Sequence, residues 1–488
     1  MHVHLVGVSG TGMGALAMLL KQEGHRVTGS DVAFDPPIGP ALEAAGIECL
    51  HGWEVAHLEP APDLVIVGNA IRRENAEAAC AEARGLRRSS MSQALRELFL
   101  EGRKALVVAG THGKTTTSAM CAHVLQSAEL EPGWFIGGLP KNLPSGAAVG
   151  SRKRRLTAHA TGALATKTPF VVEGDEYDAV YWHKKAKFLD YVGASDSDVV
   201  IVTGVEHDHI DIYADAQSYE AAFRDLVGRV PERGLLVCDA SQKVAAALVR
   251  EARAEVAYYA LEGDDTGGIT PTWTAAPVAP QDGIQPFDLF GAGSYAGRFS
   301  LKVPGVHNIR NAVACVAATT MGFGVDLQKA RAALGSFAGV ARRQDLLGTP
   351  GGVFVYDDFA HHPTAVFETL NALRSKHTGG ALVAIFEPRS ATACRSIHQE
   401  AYVPAFRAAD RVILAPLGRK GIPEAERLDV ARLAREIGSH ATAAGSTDEI
   451  VTLVGASAKR GDVVAILSNG AFAGLHTRVL AALGENAS

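Results

Sequence analysis

The sequence predicts an α/β fold of several domains, built on parallel sheets with crossover helices. Short β-branched runs alternate with helical patterns through almost the whole chain, which is typical of strand–helix–strand units. At 488 residues the chain is too long for a single core, and a usual size of roughly 100–200 residues per domain indicates about three domains. The 51 glycines indicate many tight loops between these elements.

Charge and composition exclude several classes of protein. Lys plus Arg total 47 and Asp plus Glu total 53, a net charge of −6, whereas a nucleic-acid-binding protein normally presents a basic face. No run of about 18 apolar residues occurs and no basic segment with a long apolar core follows Met1, so we expect neither a membrane span nor a signal peptide. The six cysteines form no Cys-x-x-Cys pair. We therefore expect a cytoplasmic protein with separate reduced thiols.

The first block, residues 1–102, begins with a strand and a glycine-rich loop. The strand-like run His2–Val8 leads to Gly10, Gly12 and Gly14 and then to a helical stretch. A second strand ends at Asp31, about where a dinucleotide-binding fold places its ribose contact. The strict G-x-G-x-x-G spacing is absent, because the glycines follow G-x-G-x-G. We therefore expect a diphosphate at the helix N-terminus, with a nicotinamide-dependent oxidoreductase as the alternative.

The second block, residues 103–341, carries the strongest single motif. A buried strand is predicted at Ala105–Ala109, followed by Gly-Thr-His-Gly-Lys-Thr-Thr-Thr at 110–117 and a helix to about Ser127. A triphosphate needs inward backbone N–H groups, a helix N-terminus, a lysine on the β- and γ-phosphates and a hydroxyl on Mg²⁺, and Lys114 and Thr115 match the last two. The loop is a variant, since Val108 stands where the general pattern has its first glycine.

Two acidic clusters in this block follow predicted strands. Glu-Gly-Asp-Glu-Tyr-Asp at 173–178 comes after the strand Phe170–Val172, and Glu-His-Asp-His-Ile-Asp at 206–211 comes after Val199–Thr203. Ligands of open α/β sheets bind beyond the carboxyl ends of strands, so these carboxylates and a histidine are candidates for holding Mg²⁺. There are two alternatives to a magnesium site. The polar residues could cap the strand ends without binding a ligand, or His207 and His209 could form a zinc site, for which a third ligand is missing.

Residues 145–168 and the third block, 342–488, differ in character. The former contain the basic run 152–155 among Ala, Thr, Gly and Ser without hydrophobic periodicity, which predicts a mobile, solvated loop rather than a phosphate site. The latter has an alternating strand and helix pattern that predicts a third α/β domain. Its predicted strands are Val353–Tyr356, Leu382–Phe386, Val412–Ala415 and Val463–Leu467.

Taken together, the motifs resemble those of the Mur ligase family. They occur in the family's order and cover nearly the whole chain. The motifs are GTHGKTTT (110–117), EGDEYD (173–178), EHDHID (206–211), HNIRN (307–311), RR (342–343) and DDFAHHPT (357–364). The resemblance implies an N-terminal Rossmann-like UDP-binding domain, a central P-loop ATPase domain and a C-terminal Rossmann-like domain for the incoming amino acid or peptide.

The resemblance also implies roles for individual residues. Lys114, Glu173 and His209 would be catalytic, and Thr115, Glu173 and His209 would hold two Mg²⁺ ions. The residues implied for ATP binding are Gly110, Thr111, His112, Gly113, Lys114, Thr115, Thr116, Asn308, Asn311, Arg343 and Asp357. Those expected to bind the UDP-sugar are Gly10, Gly12, Asp31 and Asn69, and those expected to bind a peptide are His361 and Arg389.

Further motifs resemble the family members that join UDP-N-acetylmuramate to the murein tripeptide L-Ala-γ-D-Glu-meso-diaminopimelate. Together with DDFAHHPT (357–364), they are FVVEGDEYD (170–178), KFLDY (187–191), EPRS (387–390) and SNGAFAGLH (468–476). The implied activity is ATP-dependent ligation through an acyl phosphate, in peptidoglycan recycling and biosynthesis, with free L-alanine as the alternative second substrate. We expect a monomer or weak homo-oligomer without nucleic-acid or membrane partners.

The sequence departs from the family pattern at a few positions. Gly204 stands where relatives usually carry Asn, and Ala391 replaces the usual Asn after EPRS. Some relatives use a carbamylated lysine near the metals, for which Lys185 and Lys187 are both candidates. Other classes also remain open: a regulatory P-loop NTPase would hydrolyse ATP without a UDP-sugar, and a pure binding module would not turn over.

Overall fold

The computed structural model describes residues 1–152 and 167–485. In this part of the chain the strands assemble into three large sheets of five, ten and six strands, in chain order, and one two-stranded hairpin. Helices cover the sheets, as the alternating sequence pattern predicts. None of the described helices is both long enough and apolar enough to cross a bilayer.

The first unit is a parallel five-stranded sheet of order β3-β2-β1-β4-β5. Its strands are β1 (His2–Val6), β2 (Arg26–Asp31), β3 (Glu48–His51), β4 (Leu64–Val67) and β5 (Arg88–Ser90). Its helices are α1 (Thr11–Gln22), α2 (Ile38–Ala44), α3 (Ala76–Ala83) and α4 (Met91–Leu95), which a π-helical turn at Arg96–Leu100 extends. β1 is the central strand, so the loop that follows it lies at the middle of the carboxyl edge of the sheet.

The second unit is built on the ten-stranded sheet, of order β17-β16-β15-β14-β13-β12-β6-β9-β7-β8. Its strands are β6 (Lys104–Ala109), β7 (Gly133–Phe135), β8 (Ala147–Ala148), β9 (Pro169–Glu173), β12 (Val199–Val202), β13 (Leu235–Asp239), β14 (Glu255–Leu261), β15 (Trp273–Pro277), β16 (Gln285–Gly291) and β17 (Ser294–Leu301). A separate hairpin consists of β10 (Asp178–Val180) and β11 (His183–Ala186). The helices are α5 (Lys114–Ser127), α6 (Phe188–Tyr191), α7 (Ala216–Arg229), α8 (Lys243–Val249), α9 (Val306–Phe323) and α10 (Leu327–Ser336).

Two helices enclose one face of this sheet. α5 packs against α9, whose residues from Ile309 to Thr319 are almost all buried. Small residues such as Ala312 and Ala314 are 0% exposed, which lets α9 lie close to its neighbours in a densely packed interior. This packing fixes the loop before α5 relative to the first turn of α9.

The third unit has a six-stranded sheet of order β18-β19-β23-β20-β21-β22, parallel except for β18. The strands are β18 (Asp345–Gly348), β19 (Phe354–Asp358), β20 (Leu382–Phe386), β21 (Arg411–Leu414), β22 (Ala441–Ala443) and β23 (Val463–Leu467). The helices are α11 (Pro363–Lys376), α12 (Gln399–Ala405), α13 (Val430–Ile437), α14 (Thr447–Ser457) and α15 (Leu475–Glu485). Short 3-10 turns occur in the third unit at Pro350–Gly352, Ser396–His398, Glu424–Glu426 and Phe472–Gly474. Another occurs in the first unit at Val55–Leu58.

The structure corrects the prediction of a mobile loop at 145–168. Ala147–Ala148 forms a strand paired with β7, and the Trp134 indole N–H donates to the Ser145 carbonyl at 3.0 Å. The small alanines fit a short edge strand that the lack of periodicity concealed, so the prediction of a loop is wrong for Ala147–Ala148. Arg152 of the basic run pairs with Glu23 at 3.3 Å, and residues 153–166 lie outside the described residues.

Candidate active site

The carboxyl ends of three adjacent strands bring the predicted nucleotide-binding residues together. β6 lies between β9 and β12, and the chain reaches β9 on one side of β6 before it forms β12 on the other. Glu173 ends β9, the loop 110–113 follows β6, and Glu206 and His209 follow β12. A reversal of strand order of this kind opens a crevice at the carboxyl edge, which is where open α/β sheets bind ligands.

The loop between β6 and α5 requires glycine at two positions. Gly110 has a φ of 128° and Gly113 a φ of 79°. A Cβ on Gly113 would lie 2.5 Å from Asn311 Oδ1, and a Cβ on Gly110 would lie 2.1 Å from Thr203 Oγ1. Because α5 begins at Lys114, the loop presents the N-terminus of a 14-residue helix, an arrangement that favours bound phosphate.

Lys114 forms an ion pair with a carboxylate from the second strand of the site. Its ammonium donates to the Gly110 carbonyl at 2.6 Å and lies 3.0 Å from each of the two carboxylate oxygens of Glu176. Burial alone would lower the pKa of Lys114, but the negative charge of Glu176 outweighs burial and raises the pKa. Lys114 is therefore held as a cation at the mouth of the phosphate loop.

Glu176 also binds two groups that follow β12. It is 1% exposed, and its Oε1 lies 3.0 Å from His209 Nε2 and accepts a hydrogen bond from the Tyr219 hydroxyl at 3.3 Å. Burial would raise the pKa of Glu176, but Lys114 and His209 lower it to about 2. Burial would lower the pKa of His209, and its hydrogen bond to Glu176 raises the pKa instead. Glu176 thus links the phosphate loop to His209.

Thr115 and Glu173 form an oxygen-rich pair beside Lys114. The Thr115 hydroxyl donates to Glu173 Oε1 at 2.7 Å, and the Gly137 backbone N–H donates to Glu173 Oε2 at 2.7 Å. Hydroxyl and carboxylate oxygens are the hard ligands that Mg²⁺ prefers. The donor set therefore fits the predicted metal site. His209 lies against Glu176, so its role as a ligand of a second ion stays a prediction.

Three further residues predicted to bind ATP converge on the same loop. Asn311 lies against Gly113, and its amide donates to Asn308 Oδ1 at 3.2 Å. The Asn308 amide donates to the Pro304 carbonyl at 2.7 Å. From the start of the third unit, Arg343 Nη2 donates to the Thr115 hydroxyl at 3.4 Å. These contacts place α9 and the start of the third unit around the loop.

Asp357, by contrast, is bound within the third unit. Its Oδ1 lies 3.0 Å from His476 Nε2, and its Oδ2 accepts a hydrogen bond from Arg342 Nε at 3.1 Å. Asp357 is the penultimate residue of β19, so it lies at the ligand-facing edge of its sheet. Its contact with ATP stays a prediction.

The two residues predicted to bind a peptide lie in different surroundings. His361 is held 3.9 Å from Asp208 Oδ2, and burial lowers the pKa of His361, which favours its neutral form. Arg389 follows β20, its side chain is 43% exposed, and it pairs with Glu387 at 3.6 Å. This salt bridge is the alternative to a ligand contact at Arg389. An exposed guanidinium in a long ion pair remains accessible to a ligand carboxylate.

In the first unit, Gly10 caps the N-terminus of α1 and Gly12 lies in its first turn. A Cβ on Gly12 would lie 2.8 Å from Met91 Sδ. Asp31 ends β2, and its carboxylate accepts hydrogen bonds from the backbone N–H groups of Ser9 at 2.9 Å and Val32 at 2.8 Å. Asp31 therefore shapes the loop before α1. Asn69 is exposed just after β4.

Glu206 makes contacts that the sequence did not reveal. Its carboxylate lies 2.9 Å from His112 Nε2 and accepts hydrogen bonds from the Thr364 hydroxyl at 2.9 and 3.0 Å. His362 Nε2 lies 3.9 Å from the same carboxylate. The EHDHID motif indicated that Glu206 lies near the site, but its partner Thr364 is 158 residues away in the chain.

The groups around Glu206 are near enough to hold a metal, but their hydrogen bonds favour another arrangement. Ligand atoms of His112, Glu206 and His362 all lie within 4.8 Å of one another. However, His362 Nδ1 accepts a hydrogen bond from the Thr364 backbone N–H at 3.3 Å, so in the neutral ring Nε2 carries the proton. A protonated nitrogen cannot be a ligand.

Two other sequence alternatives can be placed. The ring of His207 lies 3.1 Å from the Tyr213 carbonyl while His209 faces Glu176, so these histidines do not converge as a zinc site would require. Of the two candidates for a modified lysine, Lys185 is exposed. Lys187 is buried and donates to Asp175 Oδ2 at 2.8 Å, within the 173–178 motif, and its modification stays a prediction.

Comparisons with known proteins agree with this geometry. The Mur ligase family, catalytic domain, matches residues 2–103, the Mur ligase middle domain matches 108–319, and the Mur ligase glutamate ligase domain matches 342–470. These three matches follow the order of the three sheets and cover most of the chain.

Individual proteins match over almost the full length. The UDP-N-acetylmuramate–L-alanyl-γ-D-glutamyl-meso-2,6-diaminoheptandioate ligase of Escherichia coli is 36% identical over 494 residues, covering 100% of this chain and 99% of that protein. The UDP-N-acetylmuramate–L-alanine ligase of Chloroflexus aggregans is 35% identical over 490 residues, covering 96% and 95%. The crystal structure of a murein peptide ligase from Psychrobacter arcticus superposes with a TM-score of 0.71 at 32% identity, covering 99% of each chain. Because the three family matches follow the order of the three sheets and a full-length relative is 36% identical, the chain belongs to the Mur ligase family.

Proposed function

We propose that the protein joins UDP-N-acetylmuramate to the tripeptide L-Ala-γ-D-Glu-meso-diaminopimelate, driven by ATP, in peptidoglycan recycling and biosynthesis. The observation that carries the proposal is the phosphate loop with Lys114 at the head of α5, facing the third unit across the crevice. Full-length similarity to the E. coli ligase that bears the name of this substrate pair supports the choice of substrates.

The chemistry explains why a ligase of this kind needs a phosphate loop. A free carboxylate does not form an amide at useful rates, because oxide is a poor leaving group. Transfer of the terminal phosphoryl group of ATP to the lactyl carboxylate of UDP-N-acetylmuramate gives an acyl phosphate. The free amine of the tripeptide's L-Ala then attacks the acyl carbon and phosphate leaves. Positioning and charge neutralisation are the main contributions that the protein can make.

The residues around the phosphate loop would each have a role in this reaction. Lys114 would turn from the Gly110 carbonyl and Glu176 towards the β- and γ-phosphates. The backbone N–H groups of residues 110–116 would hold the phosphate oxygens. Thr115 and Glu173 would hold Mg²⁺, which neutralises phosphate charge when bound, and His209 would help to hold a second ion.

Residues on both sides of the crevice would enclose the nucleotide. Asn308 and Asn311, next to Gly113, would contact the adenine ring. Arg343, already against Thr115, and Asp357 would reach ATP from the third unit. An acyl phosphate hydrolyses readily, so approach of the third unit would protect it by excluding water.

The remaining substrates would bind at the outer two units. The loop with Gly10 and Gly12, at the N-terminus of α1, would hold the diphosphate of the UDP-sugar, and Asp31 and Asn69 would border that site. The boundaries that we propose for the three domains are 1–102, 103–341 and 342–488. In the last of these, His361 and Arg389 would contact the peptide, the latter through a carboxylate.

Phosphate release tests the proposal directly. Purified protein with ATP and Mg²⁺ should release phosphate only when both UDP-N-acetylmuramate and the tripeptide are present, and mass spectrometry should find the UDP-sugar tripeptide. Matched reactions omit one substrate each or replace the tripeptide with L-alanine. Phosphate release that is independent of the UDP-sugar would contradict the proposal and indicate a regulatory NTPase.

The L-alanine ligase activity is the second candidate. It is supported by the 35% identity to the Chloroflexus aggregans protein, which bears the name of that activity. The same assay separates the two candidates, because each predicts a different amine as the preferred substrate.

A further inference from the structure

Glu206 contacts both the phosphate loop and the third unit. On the loop side its carboxylate lies 2.9 Å from His112 Nε2. Its backbone N–H donates to the Thr111 hydroxyl at 2.9 Å, and the same hydroxyl donates to the Glu206 carbonyl at 2.8 Å. Glu206 is thereby fixed to two consecutive residues of the loop that precedes Lys114.

On the other side, Glu206 meets the first turn of α11. The Thr364 hydroxyl donates to both carboxylate oxygens, and Pro363 and Thr364 begin this 14-residue helix. A carboxylate at a helix N-terminus is stabilised by the helix dipole. The pKa of Glu206 is consistent with this arrangement: burial would raise it, but His112 and His362 lower it to about 2. The carboxylate is therefore held ionised between the two units.

One hydrogen-bond donor beside this carboxylate is unused. His362 is 4% exposed, and its Nε2 is buried without a hydrogen-bond partner. Since Nδ1 accepts the Thr364 N–H, Nε2 is the protonated nitrogen, and it lies 3.9 Å from Glu206 Oε1. Closer approach of the two units by less than 1 Å would bring it to hydrogen-bond distance. A buried donor without an acceptor is unfavourable, so this group favours tighter closure.

We infer that Glu206 and Thr364 form a latch that closes the third unit over the phosphate loop and keeps water from the activated substrate. The latch acts through position, since Glu206 touches His112 and Thr111 rather than a reacting atom. This inference rests on the proposed function. When the latch is weakened, water attacks the acyl phosphate before the amine does, and the products are free carboxylate and phosphate. ATP is then consumed without ligation.

The test is the ratio of phosphate released to peptide ligated, measured in the same reaction by phosphate detection and mass spectrometry. Thr364→Val keeps the shape of the side chain but removes the donor, and Thr364→Ser restores the donor. Wild type and Thr364→Ser should give a ratio near one, whereas Thr364→Val should give a several-fold higher ratio with a smaller change in the rate of phosphate release. Thr452→Val, which removes an exposed hydroxyl bonded to a carbonyl of its own helix, is the control and should match wild type.

The outcomes separate this inference from the proposed function. If wild type forms no ligated peptide, the proposed function fails. If wild type ligates with a ratio near one and Thr364→Val does the same, the latch is wrong and the proposed function stands. If both Thr364 variants raise the ratio equally, the effect does not come from the hydroxyl, which also overturns the latch. Circular dichroism of each variant verifies that the fold is retained.

Discussion

The ammonium of Lys114 lies 3.0 Å from the carboxylate of Glu176, in a contact that joins the first turn of α5 to the segment after β9. With 15% of the Lys114 side chain and 2% of that of Glu176 exposed, neither charge can be solvated well, so each depends on the other. Bound phosphates would offer Lys114 a second partner. The pair therefore holds the lysine in place before nucleotide binds.

Replacement of Lys114 by alanine should remove most of the ligase activity. The variant loses the cation expected on the β- and γ-phosphates, and the loss of one such preorganised group typically costs about 100-fold or more in turnover. The affinity for UDP-N-acetylmuramate, measured by calorimetry, should be unchanged because that site lies in the first unit. Ligation at nearly the wild-type rate would remove the ATPase assignment.

Replacement of Glu176 by glutamine should destabilise the protein more without ATP than with it. The variant leaves the Lys114 ammonium buried without its counter-charge, which costs about 3 kcal/mol or more for a buried pair. Bound phosphates would supply that charge, so saturating ATP with Mg²⁺ should raise the melting temperature of the variant more than that of wild type.

The control for this experiment is Glu436→Gln, which breaks an exposed pair with Arg432 at 2.7 Å and should change stability very little. Differential scanning fluorimetry of the three proteins with and without nucleotide gives the comparison. An equal ATP-induced shift in wild type and Glu176→Gln would mean that Lys114 does not exchange Glu176 for phosphate.

The sequence predicts the local parts of this site better than the long-range ones. Lys114 and Thr115 are adjacent to each other and to the glycines that shape the loop, so a short motif contains the whole chemical pattern. The pairing of Lys114 with Glu176 spans 62 residues and that of Glu206 with Thr364 spans 158. Such pairs depend on how strands are ordered in the sheet and on how the units meet, neither of which the motifs contain.

Strands with two apolar faces were predicted better than strands with one apolar face. Buried parallel strands such as Leu382–Phe386 and Val463–Leu467 were predicted with the bounds that the structure has, because both of their faces are apolar. The antiparallel edge β15–β17 was missed. In β16 buried and partly exposed residues alternate, so it lacks a continuous apolar run, and the prediction of parallel sheets is incomplete at this edge.

Replacement of Glu77 by glutamine should destabilise the first unit in a pH-dependent way. Glu77 is 0% exposed, and its carboxylate contacts His57 Nδ1 at 2.6 Å, His4 Nε2 at 3.2 Å and the Ser30 hydroxyl. Burial would raise the pKa of Glu77, but these hydrogen bonds hold the pKa below its usual 4.5. The ionised form therefore stabilises the fold above pH 4.5, and that contribution is lost as the pH falls through the lowered pKa.

Thermal unfolding of wild type and Glu77→Gln, followed by circular dichroism, measures this contribution. The difference in the free energy of unfolding should be about 2 kcal/mol at pH 7, as for hydrogen bonds to a buried charged group, and should shrink below pH 4.5. A difference that stays constant down to pH 3 would show that the charge of Glu77 is not the cause.

The glycine loop of the first unit should bind UDP-N-acetylmuramate in preference to NAD. A diphosphate needs only the N–H groups at the start of α1, whereas nicotinamide needs a second half-fold, and the first unit has five parallel strands. Calorimetry with each ligand should give measurable heat only for the UDP-sugar. Tighter binding of NAD would favour the oxidoreductase alternative.

Replacement of Arg389 by alanine should distinguish the two candidate second substrates. A site for free L-alanine must neutralise a carboxylate next to the attacking amine, whereas a tripeptide site needs its cations farther away, where the carboxylates of the peptide lie. Arg389 is partly exposed, pairs with Glu387 at a long 3.6 Å, and can grip a carboxylate through two N–H groups. We expect Arg389→Ala to raise the KM for the tripeptide strongly and to leave UDP-sugar affinity nearly unchanged. Wild type should prefer the tripeptide over L-alanine by orders of magnitude in kcat/KM, because L-alanine would leave charged groups of the site unpaired. Comparable ligation of L-alanine would instead identify an L-alanine ligase.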